Sequence, residues 1–379
     1  MPKLIIGADI VPTISNQHIF ENGHIDHIVS EDLLAVLSGA DYRIFNLEVP
    51  LTDMATPIKK CGPNLIASTK SVTGLRELSI DFLTLANNHI LDQGEQGLWS
   101  TTEQLDKAGI AYAGIGCTPA EAAKPYIVEL DGKRVGIYCC AEHEFSIVSD
   151  RQAGANPFDP LESLDHIVDL KDQCDYVICL YHGGKEHYRY PSLNVQKTCR
   201  KIVEKGADLV ICQHTHCVGC EEKWQDGTIV YGQGNFLFDH SESEFWKTSV
   251  LVSMDLTDHS VEYIPICKDG NGVKLASDVI GEKILADMMS RTEAIKEPNF
   301  IEEKYAAFSR TMVAFYISRG DFLTTTFVFR VLNKISKNRL KEFMVQIKIR
   351  KYGMEFINQY ACEAHRELIL KGLEVSANE

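Results

Sequence analysis

Residues 83–94 read Leu83-Thr-Leu-Ala-Asn-Asn-His-Ile-Leu-Asp-Gln-Gly94. The stretch continues a short apolar strand that runs from Asp81 to Ala86 and halts on Asn87, Asn88 and His89. A helical pattern follows, its first turn loosened by Gly94 and Gly97. Open α/β sheets bind ligands at the carboxyl ends of their strands. A strand ending in Asn-Asn-His delivers amide oxygens and an imidazole to that edge, and both groups ligate metals. Asn also favours turns, so the stretch reads equally as a polar strand-to-helix turn.

Working outward, other apolar runs end in the same way. Lys3–Asp9 reads as a buried strand with Asp9 at its end. Arg43–Val49 is a second strand, carrying Asn46 and Glu48 just before Pro50. Asp175–Tyr181 runs into His182-Gly-Gly-Lys-Glu-His-Tyr-Arg189, where the paired glycines let the backbone pass close to a ligand. Asp208–Cys212 runs into Gln213-His-Thr-His216, and residues 228–239 read as one strand with a glycine-flanked Asn235. Taken singly, Asp9 is a turn former, Glu48 a strand-edge carboxylate and His182 a core histidine. Taken together, Asp9, Glu48, Asn88, His182, His214 and His216 lie at strand ends that a parallel sheet presents along one rim, with His89 beside them. This mixed nitrogen and oxygen set suits Mn, Fe or Zn, as one or two divalent ions. A carboxylate between two cations can bridge them about 3.5–4 Å apart and favours a bound hydroxide near neutral pH. Cys217-Val-Gly-Cys220 could suggest zinc or redox chemistry, but no second cysteine pair stands at zinc-finger spacing.

Elsewhere, Asp131-Gly132 between two apolar runs predicts a hairpin of 126–130 with 134–140. Helices are expected at 31–38, 70–79, 99–108, 160–172 and 193–205, and a long polar segment at 141–160. Strands at 249–256 and 261–267 finish the sheet. From residue 281 onward the pattern is helical, over 282–293, 300–318, 323–350 and 354–371. A chain of 379 residues suggests two domains or one large α/β domain with an appendage. Charge supports a boundary near 280: residues 281–379 hold 16 Lys+Arg against 13 Asp+Glu, whereas the first 280 hold 22 against 40. The overall charge of −15 argues against nonspecific nucleic-acid binding. Residues 330–351 hold eight Lys+Arg and one Glu, a solvated helix face or a contact for a membrane surface or protein partner. No run is long and apolar enough to span a bilayer, and the N-terminus lacks the pattern of a signal peptide. The 12 cysteines, several in apolar strands, are then expected as reduced thiols of a cytoplasmic protein.

At this point the sequence resembles the bacterial capsule and poly-γ-glutamate synthesis proteins of CapA type, within the calcineurin-like metallophosphoesterase superfamily. Gly7-Ala-Asp9, Asn46-Leu-Glu48, Ala86–Gly94, His182–Glu186, His214-Thr-His216 and Tyr231-Gly-Gln-Gly-Asn-Phe236 carry the resemblance, over roughly residues 3–256. It implies an α/β fold, a four-layer α/β/β/α metallophosphatase-like sandwich over 1–280, with a C-terminal helical subdomain at 281–379. It implies one metal on Glu48, Asn88, His182 and His214, and another on Asp9, Glu48 and His216. His89 would be the acid that protonates the leaving group, or would steady the charge of the reaction. Glu48 and Glu186 join it as catalytic candidates, and Asn87, His187, Arg189 and Asn235 are substrate-binding candidates. Two departures stand out: Val11 occupies a position where the superfamily usually has a ligating His, and Glu48 replaces the usual bridging Asp. The resemblance implies a metal-dependent hydrolase of a phosphoester, or of an amide in a cell-envelope polymer, with an anionic small-molecule or polymer substrate. A non-catalytic capsule or poly-γ-glutamate assembly factor is a rival. So is a metal-independent acid/base enzyme such as an epimerase. Oligomeric state stays open.

Overall fold

The computed structural model describes residues 2–239, 241–319 and 326–378. Its strands are β1 (Lys3–Val11), β2 (Tyr42–Leu47), β3 (Phe82–Thr84), β4 (Ala111–Ala113), β5 (Ile115–Gly116), β6 (Tyr126–Leu130), β7 (Lys133–Ala141), β8 (Gly154–Ala155), β9 (Tyr176–His182), β10 (Leu209–Gln213), β11 (Glu221–Trp224), β12 (Gly227–Val230), β13 (Asn235–Phe238), β14 (Thr248–Asp255), β15 (Val261–Asp269) and β16 (Gly272–Leu275). One sheet has the order β16-β15-β14-β1-β2-β3-β4, with β13 also paired to β1. The second has the order β11-β12-β10-β9-β7-β6. Strands β1 to β4 run parallel, as do β7, β9, β10 and β12. Each sheet therefore presents the carboxyl ends of its central strands along one edge. The expected hairpin forms, with β6 antiparallel to β7 across Asp131-Gly132.

Successive strand residues face opposite ways, and the core divides accordingly. Leu4, Ile6, Ile44 and Phe82 of the first sheet pack with Ile137, Ile178, Leu180 and Ile211 of the second. On the outer side of the first sheet, Ile5, Phe45 and Leu83 pack with Leu33, Leu37, Leu75, Leu98 and Leu105. On the outer side of the second, Tyr138, Val177 and Val210 pack with Ile167, Leu170, Val195 and Ile202. Helices, sheet, sheet and helices make the four-layer α/β/β/α sandwich. Cys140, Cys179, Cys199, Cys212 and Cys220 fill the last cluster as buried free thiols. Cys217 is also free and buried.

Three expectations change. Residues 228–239 are not one strand: β12 belongs to the second sheet and β13 to the first. Between them Gly232 and Gly234 take φ of 115° and 88°, which non-glycine residues rarely adopt. A Cβ on Gly234 would also lie 2.7 Å from the Thr248 carbonyl oxygen. The chain thus steps between sheets where an apolar run hid the break. Second, the compact units divide at Ile301/Glu302, so the boundary expected near 280 falls inside the first unit. Helix Asp278–Ala294 buries Ile284 and Met288 in the core between the sheets, and Arg291 Nε donates to the Gly219 carbonyl at 2.7 Å. A covering helix and a separate bundle carry the same periodicity. Third, the helix expected over 323–350 is two, Phe327–Ile335 and Arg339–Ala361, broken by the positive φ of Lys337 and Asn338. Residues 323–325 lie outside the described residues. The second unit, residues 302–379, also holds helix Glu363–Asn378. Among the described residues, no helix is long and apolar enough to cross a membrane.

Candidate metal centre

The polar strand ends meet. Asp9 lies near the end of β1, Glu48 just past β2, Asn88 in the turn after β3, and His182 closes β9. His214 and His216 follow β10 with φ of 78° and 53°, a turn that brings alternate side chains into one cluster. Ligand atoms of Glu48, His182 and His214 lie within 4.8 Å of one another, and so do those of Asp9, Glu48 and His216. Glu48 is common to both groups. His182 Nε2 is 3.2 Å from Glu48 Oε1 and 3.1 Å from Asn88 Oδ1. His216 Nδ1 is 3.4 Å from Asp9 Oδ2. Ligands about 2.1 Å from a shared ion sit roughly 3.0–3.4 Å from each other in tetrahedral or octahedral geometry. The His182–Glu48, His182–Asn88 and His216–Asp9 separations fit that requirement.

Hydrogen bonding sharpens the point. Asp9 and Glu48 are fully buried. Beyond the imidazole contacts from His182 to Glu48 Oε1 and from His216 to Asp9 Oδ2, neither oxygen of Glu48, nor Asp9 Oδ2, nor His214 Nδ1 has a hydrogen-bond partner among the described residues. A buried carboxylate met only by imidazoles is costly, on the order of several kcal/mol, unless those rings are charged or a metal cation meets it. Burial pushes the Glu48 carboxyl up, but the His182 and His216 imidazoles outweigh it and hold it below the ordinary carboxylate range. Burial, with Glu48 adding to it, raises Asp9. Burial lowers His182, and the Glu48 carboxylate more than offsets this, so that it ends raised. His216 is likewise pulled down by burial but carried up to about 9 by Glu48 and Asp9. His214 is held well below the usual imidazole value by burial and by neighbouring His182. It is therefore a neutral nitrogen donor.

A frame of amides holds these groups. Asn46 Nδ2 donates to Asp9 Oδ1 at 2.8 Å, and Asn87 Nδ2 donates to Asn46 Oδ1 at 3.1 Å and to the Leu47 carbonyl at 2.8 Å. Asn87 Oδ1 accepts from the His89 backbone N–H at 3.1 Å. Asn87, expected to bind substrate, is fully buried and engaged in this frame. Asn88 Nδ2 donates to Glu144 Oε2 at 2.8 Å, which turns its oxygen toward His182. His89 Nδ1 pairs with buried Asp92 Oδ2 at 2.6 Å, and the Lys60 ammonium pairs with the same carboxylate. A carboxylate that close calls for the ring proton on Nδ1, and the Lys60 ammonium lies 3.3 Å from the same nitrogen.

The remaining candidates lie in or beside the loop after β9. Glu186 is half-buried and stands 3.9 Å from Lys185; it belongs to neither ligand group. His187 has φ of 57°, stacks on Phe245 and accepts from Trp246 Nε1 at 2.8 Å. Arg189 donates to the Val218 carbonyl at 3.1 Å and lies over the Phe245 ring. Asn235 Oδ1 is 2.8 Å from His216 Nδ1, inside the cluster. Sequence reasoning gave no role to Asp92, Lys60 or Glu144. Asp92 sits in the decisive stretch three residues after His89, and that spacing was the available signal. Lys60 and Glu144 lie in irregular segments without one.

Comparison with known proteins places the chain. It is 28% identical over 239 residues to the capsule biosynthesis protein CapA of Bacillus anthracis, covering 61% of this chain and 58% of that protein. It is 27% identical over 213 residues to the PGA biosynthesis protein CapA of Bacillus subtilis (strain 168), covering 54% and 55%. The chain thus spans a little over half the length of these relatives. Among solved structures it aligns with a Mycoplasma pneumoniae phosphatase at TM-score 0.45 and 16% identity, covering 71% of this chain and 94% of that one. The family model described as bacterial capsule synthesis protein PGA_cap matches residues 3–240, more than half of the chain, and the chain belongs to that family.

Proposed function

We propose that this protein is a metal-dependent hydrolase that cleaves a phosphoester, or an amide, of an anionic cell-envelope polymer. The observation that carries the reading is Glu48: a fully buried carboxylate that no backbone, amide or hydroxyl donor reaches among the described residues, set between His182, 3.2 Å away, and His216. Its two oxygens allow it to serve both ligand groups. Glu48, Asn88, His182 and His214 would hold one divalent ion, Mn, Fe or Zn, and Asp9, Glu48 and His216 a second. Such ions, when bound, supply Lewis acidity and lower the pKa of water toward neutrality. The protein's own groups do the rest. The Asn46–Asn87 frame orients Asp9 and the His89 turn. His89, held at Nδ1 by Asp92, gives a proton from Nε2 to the departing oxygen or nitrogen. The relatives are called capsule and PGA biosynthesis proteins, which supports a capsule-related polymer as the substrate. Those names also favour a second reading, an assembly factor that keeps the pocket without turnover.

The test is hydrolysis of an aryl phosphoester and of a γ-glutamyl anilide by metal-free protein and by protein reconstituted with Mn or Zn. The hydrolase reading expects turnover of one substrate only after reconstitution, lost in Glu48→Gln. A reconstituted protein that binds ions yet cleaves neither, nor its polymer, supports the assembly reading.

A further inference from the structure

Asn235 differs from the other buried amides of the pocket. Asn46 and Asn87 use both the donor and the acceptor end of their side chains. Asn235 uses its oxygen alone: Oδ1 lies 2.8 Å from His216 Nδ1, while Nδ2 is buried with no partner among the described residues. An ion on Oδ1 would leave Nδ2 idle as well; what the oxygen offers is a second lone pair beyond the one that faces His216. The backbone goes to some length to put it there. The chain leaves the second sheet through Gly232 and Gly234 and enters the first sheet parallel to β1, with Asn235 in register beside Asp9.

We infer that Asn235 is a protein ligand of the Asp9–Glu48–His216 site, its side-chain oxygen supplying the fourth donor that Val11 does not. The inference rests on the reading of the pocket as a metal centre. Around His216 Nδ1, Asp9 Oδ2 lies at 3.4 Å and Asn235 Oδ1 at 2.8 Å. This is close to the edge length of roughly 3.0–3.4 Å expected between ligands of one ion. A valine offers no lone pair, and Val11 is buried in the apolar cluster with Ile10 and Leu237. A neutral amide oxygen is the same donor type that Asn88 brings to the other site. Each site then has four protein ligands: Glu48, Asn88, His182 and His214 in one, and Asp9, Glu48, His216 and Asn235 in the other.

The experiment has two readouts, neither of them activity. Metal-free protein is titrated with Mn(II) by calorimetry, and Mn(II)-loaded crystals give the ion positions from anomalous scattering. The inference expects Asn235→Ala to weaken one binding step by roughly 10–100-fold and leave the other unchanged. It expects Asn235→Asp to restore or strengthen that step. In the crystal, Asn235 Oδ1 should lie about 2.0–2.2 Å from the ion beside Asp9. An ion there with Oδ1 beyond about 3 Å makes Asn235 only a positioning residue for His216 and overturns the inference, while the metal-centre reading stands. Unchanged binding in Asn235→Ala also overturns it. Absence of Mn(II) from both sites overturns the inference and the metal-centre reading together.

Discussion

Each candidate ligand lies at or just beyond the end of an apolar strand, and that made Asp9, Glu48, Asn88, His182, His214 and His216 legible in the sequence as candidates. A strand end needs no long-range information to be recognised. The Lys60–Asp92 pairing was not legible, because Lys60 reaches Asp92 from a different loop, whereas the His89–Asp92 pairing had its three-residue spacing as a signal. Asp92 sits on His89 Nδ1, which under the proposed function leaves Nε2 to exchange protons. Asp92→Asn should therefore lower kcat by about 10²–10⁴-fold while the metal content stays at the wild-type level. Equal loss of metal and rate would make Asp92 a structural residue instead. The pH dependence follows from His216, raised to about 9 in the metal-free protein. A raised imidazole contributes stability fully below its unfolded value near 6.5 and loses it as pH rises through about 9. Metal binding needs the neutral ring, so affinity at that site should rise with pH up to about 9, with release of roughly one proton. Calorimetry in buffers of different ionisation enthalpy measures this. Affinity that is the same at pH 6.5 and 8.5 without proton release would contradict it.

At the scale of elements, the longer strands and most covering helices followed from periodicity and the hairpin from Asp131-Gly132, but the short strands β8, β11 and β16 and the helix Gln17–Asn22 did not. The split of residues 228–239 into β12 and β13 did not, since apolar residues flank the break on both sides and only the spacing of Gly232 and Gly234 marks it. That break delivers Asn235 to the cluster. Gly234→Ala adds a Cβ that would meet the Thr248 carbonyl at 2.7 Å in a backbone conformation unsuited to alanine. Overpacking of this kind costs about 1–3 kcal/mol. A lowered Tm is expected, together with weaker binding at the Asp9–Glu48–His216 site and little change at the Asn88–His182–His214 site. A Gly234→Ala protein with wild-type Tm would show that the crossover tolerates a side chain.

For the whole molecule, charge marked a change near residue 280, but compact packing changes at Ile301/Glu302. Surface charge reports what faces water, whereas the helix Asp278–Ala294 joins the sandwich through its buried side, Ile284 and Met288. All residues assigned to the metal centre lie within residues 1–301. A chain ending at Ile301 should keep the metal stoichiometry of the full chain, as measured by elemental analysis after gel filtration. Loss of the ions from a folded truncated protein would mean that residues 302–379 contribute to the site.

The reading of the pocket as a metal centre turns on Glu48, whose buried carboxylate would serve both ions. Elemental analysis of protein purified without chelator, run beside Glu48→Gln, tests it most directly. The account predicts one to two equivalents of Mn, Fe or Zn per chain in the wild type and far less in the variant. A folded wild-type protein that carries no divalent metal, and takes up none when offered Mn or Zn, would contradict it.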